Sequence, residues 1–176
     1  QVRQVTFVAA ALLFAGLALT LISTEFGPRN AAVNSPYVVM YSVGILSLIA
    51  VFLVTITCTA AALRDTDHRM TALVEATPAS RRGLVLGRFL GALLAAMAVM
   101  LLAVLVLAVA PHLVAVSPER MGPTRIVDYA WAFLLLGVPN LLFLGAVVFA
   151  VASRTRSSVA SWVTGVALYA LYWVTA

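Results

Sequence analysis

With 176 residues, 64% of them hydrophobic and only 10% charged, the chain lies far from a water-soluble domain, in which roughly a quarter of side chains carry charge. Its net charge of +5 rests on 11 basic residues that are all arginine, and these stand at the ends of apolar runs rather than in a continuous stripe. That placement argues against nucleic-acid binding and for orientation in a membrane with anionic headgroups.

Five stretches free of formal charge follow one another along the chain: residues 4–23, 37–63, 89–110, 129–152 and 157–176. At 1.5 Å per residue each is long enough for a hydrocarbon core of roughly 30 Å, where a charge at mid-depth would cost about 2.5–3.5 kcal/mol. Continuous Leu, Ala and Val without two-residue alternation excludes barrel strands. A backbone surrounded by lipid must bond to itself, so the expected fold is all-α, a polytopic helical membrane protein forming a single transmembrane domain.

The first run is too long for a signal-peptide core and lacks a small-residue cleavage site, so it reads as a retained helix. There is no initiator Met, and Ala176 falls inside an apolar run, so both ends read as cuts. Eight arginines (3, 64, 69, 81, 82, 88, 154 and 156) lie on one side if the N-terminus is cytoplasmic, against three (29, 120 and 125) on the other. This asymmetry predicts a cytoplasmic N-terminus in a multi-pass protein of the cell membrane, such as a bacterial inner membrane. The loops beginning at Glu25 and at Pro111 are then external. Tyr37, Tyr41, Tyr129, Trp131 and Trp162, near span ends, fit either headgroup anchoring or helix packing.

The second run carries Thr55, Thr57 and Thr59, with the single Cys58 as a small buried apolar residue. Threonines in membrane helices bond their own i−4 carbonyls, so packing is the first expectation; Thr55, Thr59 and Asn140 are the candidates for a polar path. Between the second and third runs lies RDTDHRMTALVEATPASRRGLVLGR. Here Asp67 can cap a short helix, Met70, Leu73 and Val74 share a face, and Pro78 ends the run before another helix starts near Ser80. Asp65, Asp67, Arg69 and Glu75 turn toward water or a partner. An interfacial helix resting on headgroups is the alternative.

Gly83, Gly87, Gly91 and Ala95 recur every four residues on the third helix, and Ser157, Ser161 and Gly165 on the fifth, ridges that allow close helix packing within a subunit or between two. In the fourth run Pro139 removes a helix bond and should loosen the span, freeing a carbonyl for Asn140 or a neighbour. No catalytic, cofactor-binding or metal-ligating residues are expected. Without lysine there is no P-loop and no Schiff base; no HExxH or GxSxG motif occurs, and His68 and His112 are assigned to opposite sides.

Arg64-Asp65, then Glu75-Ala76-Thr77-Pro78-Ala79-Ser80-Arg81 and Gly87-Arg88-Phe89-Leu90-Gly91, in the order span, span, short inner helix, glycine-bearing span, resemble the permease subunits of ATP-binding-cassette exporters of type-2 architecture. Asn34-Ser35-Pro36-Tyr37 and Gly137-Val138-Pro139-Asn140 are similar to the branch whose permeases can be fused to a zinc aminopeptidase domain. The resemblance covers nearly the whole chain. It departs from a complete permease in showing five spans where the family usually has six and in lacking the amphipathic elbow helix before the first, departures that truncation at both ends would explain.

The resemblance implies a coupling helix within residues 64–82 that docks on a separate ATP-binding-cassette ATPase subunit, with Asp67, Arg69, Met70, Leu73, Val74, Glu75 and Thr77 at the contact, where Met70, Leu73 and Val74 serve either as apolar anchors or as the face packed against the spans. ATP and magnesium would sit on that partner, and a second permease half, identical or not, would complete the assembly in membrane lipid. The residues alone leave open an ion-gradient-driven carrier fragment, which would be expected to show an intramembrane ionisable group or an inverted repeat, and a non-transporting membrane scaffold.

Overall fold

The computed structural model describes residues 2–64, 80–114 and 116–175. Helix makes up 84% of the structure, and among the described residues there is no strand. Among the described residues five helices follow in order: α1 (Val2–Ser23), α2 (Pro36–Ala62), α3 (Arg81–Leu113), α4 (Ile126–Thr155) and α5 (Ser158–Thr175), with a short 3-10 turn at Pro118–Arg120. The first four have the length and apolarity to cross a membrane; α5 is apolar but has only 18 residues.

The helix ends have local causes. α2 opens on Pro36, at a position where a missing N–H costs nothing, and the Ser35 hydroxyl accepts from the Val38 N–H at 3.5 Å. α3 opens after Ser80, whose hydroxyl accepts from the Gly83 N–H at 3.2 Å. α1 closes in a Schellman pattern: the Phe26 N–H reaches the Leu21 carbonyl at 2.9 Å and the Glu25 N–H the Ile22 carbonyl at 2.9 Å. Glu25 therefore takes the left-handed position, with φ at 49°, where glycine is usual.

Inside α4 the backbone widens. Residues Phe133–Gly137 form a π turn in which the Val138 N–H bonds the Phe133 carbonyl, five residues back. The turn directly precedes Pro139, which has no N–H to continue the ordinary ladder. A side chain on Gly137 would lie 3.3 Å from the Phe133 ring.

The chain forms two compact units, one of residues Gln1–Ile49 and Met97–Asn140, the other of Ala50–Ala96 and Leu141–Ala176. In the first, Phe14, Ala18, Val43, Leu46, Met100 and Leu107 are buried; in the second, Val54, Cys58, Ala96, Leu141, Val148 and Ala152 are. Large apolar side chains also cover the exterior, among them Val5, Leu12, Leu94, Leu105 and Val163. A soluble protein rarely presents such surface, whereas lipid requires it. α1 is the extreme case, with only 17% of its apolar stretch buried.

Candidate functional site

The most developed polar cluster joins residues 24–35 to residues 116–125 within the first unit. The left-handed turn aims the Glu25 carboxylate at Ser117, which donates to it from its backbone N–H at 2.8 Å and from its hydroxyl at 2.7 Å. Arg120 completes the clasp. Its Nη1 donates to the Glu25 carbonyl at 2.6 Å and lies 3.3 Å from the carboxylate, while its Nη2 donates to the carbonyls of Pro28 at 3.0 Å and Ala31 at 3.3 Å. The backbone continues the connection, since the Val33 N–H bonds the Arg120 carbonyl at 2.9 Å.

Asn34 forms the second half of this cluster. It is 1% exposed, and its side-chain amide exchanges both hydrogen bonds with the Gly122 backbone, donating to the carbonyl and accepting from the N–H at 2.8 Å. It also donates to the Thr124 hydroxyl at 2.9 Å, which in turn lies 3.2 Å from His112 Nε2. A Cβ on Gly122 would sit 3.0 Å from that of Ala32, so glycine is what permits this approach. Such an amide pair does for two loops what a β-bridge does for two strands.

The Ser117 N–H, then its hydroxyl, and then Arg120 hold the Glu25 carboxyl below its ordinary value of 4.5, against partial desolvation. A depressed folded pKa means the stabilisation is complete above 4.5 and is lost as pH falls through the lower folded value. The distance between spin labels at Asn30 and Glu119 should accordingly stay constant from neutral pH down to 4.5 and broaden only below it. Broadening already near neutral pH would contradict this assignment.

Thr55, Thr57 and Asn140 hold hydrogen bonds within or between helices. Thr55 is fully buried and donates to the Val51 carbonyl of its own helix at 2.8 Å; Thr57 does the same toward Leu53 at 3.0 Å. Thr59 is buried, with its hydroxyl unpartnered among the described residues. Asn140, half-buried one residue after Pro139, donates to the Ser47 hydroxyl of α2 at 3.1 Å and to the Ser47 carbonyl at 3.3 Å. Thr55 and Thr59 belong to the second unit and Asn140 to the first.

The two small-residue ridges have different surroundings. Gly165 faces α2, where a Cβ would run into the Thr55 hydroxyl, and Ser161 is fully buried with its own hydroxyl bonded to the Ser157 carbonyl at 3.1 Å. Among the described residues, Gly87 and Gly91 have nothing within 4 Å of where a Cβ would stand, and Gly83 meets its capping Ser80 at 2.9 Å. Asp67, Arg69, Met70, Leu73, Val74, Glu75 and Thr77 lie outside the described residues. Among the described residues no three His, Cys, Asp or Glu side chains gather as a metal would need.

Glu25, Ser117, Arg120 and Gly122 were not singled out from the sequence. Their pairing crosses about ninety residues, and no periodic pattern announces it. Within the quoted Asn34-Ser35-Pro36-Tyr37 motif, Asn34 carries the inter-loop bonds.

Apolar helices with lipid-type exteriors, glycine-mediated and amide-mediated helix contacts and pinned connecting loops define a polytopic helical membrane protein. The sequence places it further: the chain belongs to the ABC-2 transporter family, since the family described as ABC-2 family transporter protein matches residues 3–172. Members are membrane transport components, and the match supports a permease subunit of an ABC transporter, which associates with an ABC ATPase subunit. No curated protein and no solved structure matches the chain.

Proposed function

We propose that this permease couples ATP hydrolysis on a separate nucleotide-binding subunit to export of a substrate across the cell membrane. The observation that carries the reading is the family match over residues 3–172. Residues 1–176 contain no lysine and so supply no P-loop, which suits a reading in which ATP and magnesium sit on the partner. The connection from α2, ending at Ala62, to α3, starting at Arg81, holds the segment assigned to coupling. Residues 67–77 of that connection form the contact, and Arg64 and Arg82 flank it.

ATP binding draws two nucleotide-binding subunits together, each pushes on one coupling segment, and two permease halves exchange inward-open and outward-open arrangements. With the arginine-rich connections facing the cytosol, both lie on the ATPase side, and the N-terminus is cytoplasmic.

Co-purification with the ATPase subunit tests the proposal. Two apolar anchors each contribute about 1.5–3 kcal/mol when buried, so Met70→Asp with Leu73→Asp should weaken ATPase retention at least on the order of 100-fold. Membrane insertion, read by protease protection, should be unchanged. Retention equal to the parent chain would reject the coupling assignment.

A further inference from the structure

Past the end of α1 and along the first turns of α2, Phe26, Tyr41 and Tyr37 stack in sequence, with ring centroids 5.5 and 6.2 Å apart and planes within 3° and 10° of parallel. They form one wall of an open cavity of about 520 Å³, whose charged lining is Glu25, Arg29 and Arg120. That volume is in the range of small-molecule sites. The geometry points to a binding site for the headgroup of an anionic phospholipid, with its phosphate on Arg29 and its glycerol and upper acyl chain along the aromatic wall.

Charge selects the headgroup. Both Glu25 carboxylate oxygens are occupied, one by Ser117 and the other by Arg120, and the Arg120 Nη groups are spent on the carbonyls of Glu25, Pro28 and Ala31. Arg29 is exposed and makes no ion pair among the described residues, so its guanidinium fork remains for a ligand. Two cations against one anion leave the cavity with a net charge of +1, complementary to a lipid of net −1 and not to a zwitterion that brings its own cation.

Depth selects a lipid over a free anion. Arg29 follows α1 by six residues and Tyr37 is the second residue of α2, so both stand at the end of a membrane-crossing helix. Tyr41 lies a further turn along α2, about 6 Å deeper. The wall thus runs from the phosphate level toward the acyl region, and Tyr37 and Tyr41 are 63% and 49% exposed on it. A soluble phosphate would use the arginine and leave the wall bare; a phospholipid uses both.

Native mass spectrometry of the full-length protein in detergent, titrated with phosphatidylglycerol or phosphatidylcholine, tests the site. The parent chain should retain phosphatidylglycerol in preference. Arg29→Gln should reduce that preference about tenfold, the worth of one charge-assisted bond, while Arg29→Lys keeps part of it. Tyr41→Leu should weaken retention of phosphatidylglycerol as well, and Arg154→Gln, an exposed arginine elsewhere, should change nothing. Arg29 and Tyr41 are both partly or wholly exposed, so the variants fold. Equal retention of the two lipids by the parent, an unchanged preference in Arg29→Gln, or displacement of the lipid by excess glycerol phosphate would each overturn the proposal, the last in favour of a free-anion site.

Discussion

Gly165→Val is expected to destabilise the detergent-solubilised chain by about 3 kcal/mol, at the upper end of the overpacking range, in a thermal or SDS unfolding titration. The first added carbon would already run into the Thr55 hydroxyl and would stand 3.2 Å from the Thr55 Cγ2 and 3.3 Å from its Cβ. Thr55 has little freedom to yield. It is fully buried, it is β-branched, and its hydroxyl is held 2.8 Å from the Val51 carbonyl. The contact therefore requires absence of a side chain on α5, as in close helix approaches generally. A double-mutant cycle isolates the cause. Thr55→Ala removes the two nearest atoms, so Gly165→Ala should cost on the order of 1–2 kcal/mol alone and about 0.5 kcal/mol or less in the Thr55→Ala background. Gly87→Ala and Gly91→Ala, which meet nothing within 4 Å among the described residues, serve as controls and should not destabilise the chain. Equal losses at Gly91 and Gly165 would refute this account.

That contrast shows what periodicity reveals and what it omits. Four-residue spacing puts Gly83, Gly87 and Gly91 on one face and Ser157, Ser161 and Gly165 on another, but it names no neighbour. Only the packed structure separates the covered ridge from the open one. The helical class and the five described helices were legible because lipid leaves a charge-free backbone a single economical conformation. Charge, however, marks where the hydrocarbon ends rather than where the helix ends. α3 begins at Arg81 and α4 at Ile126, beyond the uncharged runs, because helical hydrogen bonds continue through arginine and aspartate until a cap such as Ser80 intervenes. Pro139 announces a local defect in α4; that the defect is a π turn ahead of it, and that Asn140 spends its amide on Ser47 of α2, shows only in the folded chain. Least legible was the loop clasp. Glu25 read as a loop acid, and neither its left-handed backbone nor a partner more than ninety residues away leaves a signature in composition.

Arg120→Ala should produce the largest change in the loops. The substitution withdraws the donor from three backbone carbonyls, those of Glu25, Pro28 and Ala31, besides the ion pair with the Glu25 carboxylate. At about 1 kcal/mol for each carbonyl bond, local opening of residues 26–33 should become easier by roughly 2–4 kcal/mol. Trypsin reads this directly, because Arg29 lies within the released stretch: cleavage after it should accelerate on the order of 30- to 1,000-fold, provided opening is fast relative to cleavage. Arg120→Lys should recover only part of the protection, since one ammonium replaces a planar fork that spans Glu25 on one side and Pro28 with Ala31 on the other. The opposing change separates the turn from the clasp. Glu25→Gly suits the backbone at φ 49° better than glutamate does, so the α1 end should persist, yet the carboxylate that orders Ser117 and Arg120 is gone. If the clasp governs the loops, Glu25→Gly and Arg120→Ala should both speed cleavage, and combining them should add little because each removes the same connection. If backbone strain at Glu25 governed instead, Glu25→Gly would slow cleavage, and the two substitutions would act in opposite directions.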